Sequence, residues 1–387
     1  MKSSNLTVVH SFPIWLDQTM TWLYNQVYYL PNEVESHIVC ETTENLAQFW
    51  LPNIHSLAEA PCWRYYWDLG LRKLRIRRHI GFLVEQTKLY HAQVLHSHFG
   101  NIGWANLEAV KQAGLKHVVT FYGLDVNYLP KQDPSWHNRY QSLFAQIDCV
   151  LCEGTHMAKC VIALGCQEDK VRVHHLGVRV NEIAFKPRVW SSGEPLRVLI
   201  AASFREKKGI PYALEALGRI QHDVPLEITI IGDASTEARS QAEKQKILVT
   251  IEKYNLQSKV RLLGYQSHSV LFKEAYKHHV FLSPSVTASD GDTEGGAPVV
   301  LIEMAATGMP IVSTRHCDIP GVVEHGVTGL LSQERDVDGL TSELKWLVNH
   351  PEQWSHMAEA GRRRVQEKFN ASTQGHRLAE IYLAVIN

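Results

Sequence analysis

Residues Ser283–Pro310 read SPSVTASDGDTEGGAPVVLIEMAATGMP and join two short apolar runs, Val280–Leu282 and Ile311–Ser313. The order is strand, polar glycine-rich loop, helix, glycine, proline, strand. Pro298 can open the helix, because its missing N–H would be unpaired in the first turn anyway. Gly308 can close the helix in left-handed backbone, and Pro310 cannot prolong it. A strand, a helix-length crossover and a second strand predict parallel neighbours in an α/β sheet.

The same alternation extends outward in both directions. Upstream lie Leu6–Val9, Ser36–Cys40, Val94–His96, His117–Phe121, Cys149–Cys152 and Val171–His174, then Leu196–Ala201, Leu226–Ile231 and Val260–Leu263, with helix-length segments between them. The series is broken near Phe185–Pro195, where Lys186-Pro187-Arg188 and Ser191-Ser192-Gly193-Glu194-Pro195 supply linker chemistry. At about 100–200 residues per domain, 387 residues accommodate two. The reading is an α/β chain of two Rossmann-like domains, 1–188 and 189–369, with parallel sheets facing a central cleft that is the expected active site. A last helix, about 370–387, carries Leu378, Ile381, Tyr382 and Val385 on one face, which is open to packing on either domain, including back on the first.

Composition removes several function classes. Lys+Arg 39 against Asp+Glu 40 gives a net charge of -1, so no bulk field favours nucleic acid. Met1–Asn5 runs straight into Leu6–Val9, too short for a signal-peptide core, and no apolar run reaches membrane-spanning length. The expected location is the cytoplasm. Seven cysteines, an odd number, fit a reducing compartment. Cys149 and Cys152 form a CxxC on a strand, where residues three apart face opposite ways, so buried thiols are expected rather than a metal or redox pair.

Two carboxylates bracket the deciding stretch. Glu294 stands in the loop at the helix N-terminus, and Glu303 lies five residues inside the helix from Pro298, about 7.5 Å along the axis at 1.5 Å per residue. Such a pair can address two rings of one extended ligand, while the N–H groups of Gly295, Gly296 and Ala297 favour an anion between them. A nucleotide diphosphate sugar has that shape. A pyrophosphate also needs cations, and Ala201–Leu217 places Arg205 and Lys208 at the first strand-to-helix turn of the second domain. In the first domain His98 and Asp125 follow strand ends and face the expected cleft. Asp290 and Asp292 flank Gly291, a weak signal for a divalent ion.

The Ser283–Pro310 stretch resembles the acidic loop-helix motif of retaining glycosyltransferase family 4, which has the two-domain GT-B fold. The likeness extends over most of the chain and points to the bacterial exopolysaccharide branch, of the colanic-acid type. The family's two glutamates are separated by seven residues; here eight separate Glu294 from Glu303. The resemblance implies that Glu294 contacts the donor hexose and Glu303 the ribose hydroxyls. Lys208 matches the family's lysine before the glycine, Ser203 stands where an arginine is usual, and Arg205 is the nearby substitute. Gly232 and Gly264-Tyr265 resemble the nucleoside-binding turns. Tyr122 occupies the position of a histidine near the donor sugar, and Phe12-Pro13-Ile14 resembles the loop that opens the acceptor site, with Gln18 and Thr19 starting a helix.

The activity so implied is retaining hexosyl transfer from a UDP- or GDP-sugar to a saccharide or lipid-linked saccharide, without a metal or other cofactor, in surface polysaccharide assembly. An epimerase or phosphorylase on a related fold, and a non-catalytic nucleotide-sugar-binding protein, are the competing readings. Trp63-Arg64-Tyr65-Tyr66-Trp67, followed by Arg72, Lys73, Arg75, Arg77 and Arg78, reads either as a helix at an anionic membrane or as a solvated helix with an aromatic inner face.

Overall fold

A computed structural model describes residues 6–17 and 20–387. It divides into two units, one running to Arg179 and including Asn370–Asn387, the other Val180–Phe369.

The first unit is built on seven strands: β1 Leu6–Trp15, β2 Val34–Thr43, β3 Ile54–Ser56, β4 Val94–His98, β5 Lys116–Phe121, β6 Cys149–Cys152 and β7 Val171–Val173. Their order is β3-β2-β1-β4-β5-β6-β7, and every pairing is parallel. Strand alternation then decides which residues meet which layer. Val8 and Val94 lie under Leu378 and Tyr382 of the terminal helix Ala371–Ile386, whereas Val9, Val39 and Leu95 lie under Leu83 of the helix Gly81–Leu89. Leu378 and Tyr382 are fully buried, so the last helix completes the first sheet's core, a choice of domain that the sequence left open. Burial of one such aliphatic side chain contributes about 1.5–3 kcal/mol.

The second unit repeats the plan with β8 Leu196–Ala201, β9 Leu226–Ile231, β10 Val260–Leu262, β11 Val280–Ser283, β12 Ile311–Thr314 and β13 Leu330–Ser332, ordered β10-β9-β8-β11-β12-β13 and all parallel. Val198, Ile200, Leu214, Leu217 and Trp354 belong to its core. In both units the strand order reverses beside the first strand, between β1 and β4 and between β8 and β11. Ligands of open parallel sheets bind outside the carboxyl ends of the strands at such a switch point.

Several sequence expectations need correction. The unit boundary falls at Arg179/Val180, not near Phe185–Pro195. The proline-containing segment is anchored on the second unit: Lys186 N–H donates to Thr307 O at 2.9 Å, and the Arg188 guanidinium donates to the His278, Ala275 and Thr307 carbonyls. Phe12-Pro13-Ile14 is not a loop but the second half of β1. Beyond Ser11, β1 is paired only with β2, so this stretch has a free edge that tolerates a residue without an N–H. Gln18 and Thr19 lie outside the described residues. Strands β3 and β13, three residues each, were missed in the sequence. Cys149 and Cys152 are both buried thiols, with Cys149 pushed up to about 11 by burial.

Candidate active site

At the end of β8 the chain turns through Ser203–Lys208 and enters the helix Ile210–Ile220. Gly209 makes the turn possible. It has φ +62°, and a Cβ there would lie 1.9 Å from the Pro284 carbonyl oxygen, so only glycine lets this turn touch the loop after β11. That contact brings the cations of one loop onto the acids of the other.

Lys208 Nζ donates to Glu294 Oε2 at 2.7 Å, and Ser285 Oγ donates to Glu294 Oε1 at 2.7 Å. Burial alone would raise the Glu294 carboxyl, but the ammonium groups of Lys208 and Lys207 hold it down at about 2. Lys207 Nζ donates to Asp292 Oδ1 at 3.0 Å and to the Thr293 carbonyl at 2.8 Å. Arg205 Nη2 lies 3.0 Å from Asp292 Oδ2. Arg239 pairs with Asp290 at 3.1 Å. The mouth of the switch point between β8 and β11 is thus a set of cations, each facing an internal carboxylate.

Gly295, one of the eight residues between the two glutamates, has a φ of +77° that turns the loop before the helix. Pro298 is the residue before the helix rather than its first, the helix being Val299–Ala306, and Gly308 closes it at φ +84°. The Gly295 N–H is not free, since it donates to Thr293 Oγ1 at 3.1 Å. The N–H groups of Gly296 and Ala297 have no partner among the described residues, leaving them for an anion.

Glu303 takes a different partner: His268 Nε2 lies 2.8 Å from its Oε1. The two expected nucleoside turns are joined, with Gly232 N–H donating to Gly264 O at 2.8 Å. Gly232 has φ +124°, and a Cβ there would lie 1.9 Å from the Ala202 carbonyl, so this turn lies against the end of β8. Tyr265 is half-exposed, and its phenol is raised by burial and by the charge of Asp233. Ser203 contributes its carbonyl, which accepts from Arg205 N–H at 2.9 Å.

Sequence reading missed His316, Lys207 and His268. His316 is 1% exposed; its Nε2 accepts the Glu294 N–H at 3.1 Å, so its proton resides on Nδ1, which donates to Glu334 Oε1 at 2.7 Å. Its position just past β12 was the available signal. Lys207 was visible only as the neighbour of Lys208.

In the first unit the expected residues are arranged differently. Asp125 is fully buried, and its Oδ2 accepts the N–H groups of Gly100 at 3.0 Å and Tyr122 at 3.1 Å. It is a clasp between two strand-end loops and not a ligand-facing acid; burial pushes it up to about 7 although these N–H groups oppose the shift. His98 is also fully buried, its Nδ1 3.0 Å from the Tyr122 hydroxyl and its Nε2 3.2 Å from His10 Nδ1. It therefore supports Tyr122 instead of reaching a ligand itself. His10, His96 and His98 bring one ligand atom each within 4.8 Å of one another. His96 already spends both nitrogens on hydroxyls, Tyr382 at 2.6 Å and Thr120 at 2.7 Å. Burial keeps all three imidazoles neutral.

On the helix Cys62–Lys73, Trp63, Tyr66 and Trp67 are exposed, at 67%, 68% and 60%. The aromatic face is therefore largely outward. Arg72 is paired with Glu41 at 2.5 Å, Arg64 with Glu85, and Arg77 with the buried Asp68. No described helix is long and apolar enough to cross a membrane.

The profile described as Glycosyl transferases group 1 matches residues 182–364, and that of Glycosyltransferase Family 4 matches residues 21–182. The chain is 33% identical over 298 residues to the amylovoran biosynthesis glycosyltransferase AmsK of Erwinia amylovora, covering 76% of this chain and 70% of that protein. It is 30% identical to the putative colanic acid biosynthesis glycosyltransferase WcaL of Escherichia coli, covering 76% and 71%. Among solved structures, Anabaena HepE in complex with UDP and glucose aligns with TM-score 0.77 at 14% identity, over 98% of this chain and 100% of that one. A glycosyltransferase from Rickettsia africae aligns with TM-score 0.76 at 16% identity, over 99% of both.

Proposed function

The chain belongs to glycosyltransferase family 4, with the GT-B fold of two Rossmann-like units, and from that premise we propose that it transfers a hexosyl group from a UDP- or GDP-sugar, with retention, to a saccharide or lipid-linked saccharide acceptor in exopolysaccharide assembly. The observation that carries this reading is the meeting of Lys208 with Glu294 where the sheet order reverses. The names of the AmsK and WcaL relatives support the exopolysaccharide role, and the UDP complex of HepE supports a nucleotide-sugar donor.

Charge builds on the leaving pyrophosphate as the glycosidic bond breaks, so fixed cations and aligned N–H groups directed there lower the barrier. Lys208, Lys207 and Arg205 are the cations, and the Gly296 and Ala297 N–H groups are the dipoles. Before donor binds, Glu294 and Asp292 hold these side chains in place, which limits the ordering that binding must impose. Glu294 then offers acceptor oxygens to the hexose hydroxyls and Glu303 to the ribose. The leaving phosphate takes the acceptor's proton on the face from which it departs, and no side-chain nucleophile is assigned.

The test is a screen of UDP-, GDP- and ADP-sugars for thermal stabilisation, followed by product analysis with saccharide acceptors. A true donor stabilises by mass action. Turnover without acceptor would indicate an epimerase, and a requirement for free phosphate a phosphorylase. Tight donor binding without any transfer would leave a binding protein.

A lipid-linked acceptor would place the enzyme at the inner face of the membrane. The outward Trp63, Tyr66 and Trp67 support peripheral contact. So does a cavity of about 400 Å³ whose lining sets Arg75, Arg77, Arg78 and Lys111 against the single acid Glu108, a net positive lining that suits anionic headgroups. Sedimentation with anionic vesicles should be salt-sensitive and weakened by replacing Trp63 and Trp67 with Ser; no sedimentation at low ionic strength would sink this part.

A further inference from the structure

Glu303 projects from the helix Val299–Ala306 with its two oxygens in unlike circumstances. Oε1 is 2.8 Å from His268 Nε2, and Oε2 has no hydrogen-bond partner among the described residues. The side chain is 10% exposed, so it is a largely buried carboxylate in contact with solvent at one edge. Left alone, such a carboxylate has several rotamers open to it, and each would present a different oxygen.

His268 removes that freedom, and its own position is fixed twice. Ser267 Oγ accepts the Val270 N–H and so sets where the helix His268–Ala275 begins. The imidazole then packs against Phe272 one turn on, with ring centroids 4.8 Å apart. In sequence it follows the Gly264-Tyr265 turn that ends β10. The nucleoside turn and the support of Glu303 are thus one short continuous segment.

We infer that His268 is a positioning residue for ribose recognition: its Nε2 holds one oxygen of Glu303, the other is presented to the vicinal hydroxyls of a ribonucleoside diphosphate, and the pair sets the preference for ribo- over 2′-deoxyribonucleotides. This rests on the reading of Glu303 as the ribose-holding acid. A site built to accept a hydroxyl discriminates against a ligand lacking it, because its own polar group is then left unpaired. The discrimination needs an oxygen that cannot swing away, which is what the histidine supplies.

Calorimetric Kd values for UDP, GDP and ADP, each with its 2′-deoxy counterpart, test this on the full chain. The wild type should prefer the ribo form of its best nucleotide by about tenfold or more. His268→Phe should weaken the ribo form about tenfold and the deoxy form much less, so that the preference collapses. His268→Gln, whose amide can donate from a similar place, should restore most of it; a variant that only loosens the fold would weaken both forms equally and overturn the proposal. Glu303→Gln separates the two levels of inference. Lost preference there, with wild-type preference in His268→Phe, overturns the role of His268 alone. Intact preference in both variants overturns the ribose reading of Glu303 and this proposal together.

Discussion

Lys208 and Glu294, 86 positions apart in the chain, form an ion pair of 2.7 Å in which the acid is 5% and the lysine 18% exposed. Taking either partner away leaves a charge in a poorly hydrated place, so the pair couples the geometry of the β8 turn to that of the loop after β11.

Lys208→Ala should cut donor turnover by about 100-fold or more while the protein stays folded, and Glu303→Ala should also lose turnover. A double-mutant cycle of Lys208→Met with Glu294→Gln should give a stability coupling of about 1–3 kcal/mol. Near-normal kinetics in both single alanine variants would reject the assigned site.

Gly209→Ala should separate the two loops. The new Cβ would strike the Pro284 carbonyl, and alanine is strained at φ +62°. A loss of about 1–3 kcal/mol in urea unfolding is expected, with a larger fractional loss of donor affinity than any surface alanine in the helix Ile210–Ile220 causes. An unchanged unfolding midpoint would contradict the close approach.

Asp292 is 2% exposed and already faces Lys207 and Arg205. A divalent ion would have to displace both cations, so turnover should be the same within about twofold before and after EDTA treatment, since an acid already neutralised by paired cations attracts a metal poorly. A loss restored by Mg²⁺ or Mn²⁺ would show that the Asp290-Gly291-Asp292 segment is a metal site.

The first unit should be acid-labile. Burial lowers His10 and His117 to about 3 and His174 to about 4, so each is neutral in the fold at pH 5, whereas in the unfolded chain each takes a proton below about 6.5. The unfolded state binds more protons, so stability is full above pH 6.5 and falls as the pH drops from there toward 3. Each histidine adds up to about 1.4 kcal/mol per pH unit. Urea midpoints measured from pH 7.5 to 5 should fall steeply; a flat profile would mean that these imidazoles are hydrated.

Local pattern determined the α/β class, most strand positions, the closing at Gly308 of the helix after the Glu294 loop, and the candidacy of Lys208, Glu294 and Glu303. These depend on periodicity, on the special backbones of glycine and proline, and on a motif contiguous in the chain. Tertiary structure alone decided which side chains share a site. His268 shows no local sign of function and His316 only its place just past β12; they matter because helix and strand ends carry them to Glu303 and to the Glu294 amide. His98 and Asp125 show the converse. Both are polar residues at strand ends, yet the surrounding layers enclose them, so they support Tyr122 and its loop from within. Burial and partner choice are set by chain segments distant in sequence, and no short window contains that information.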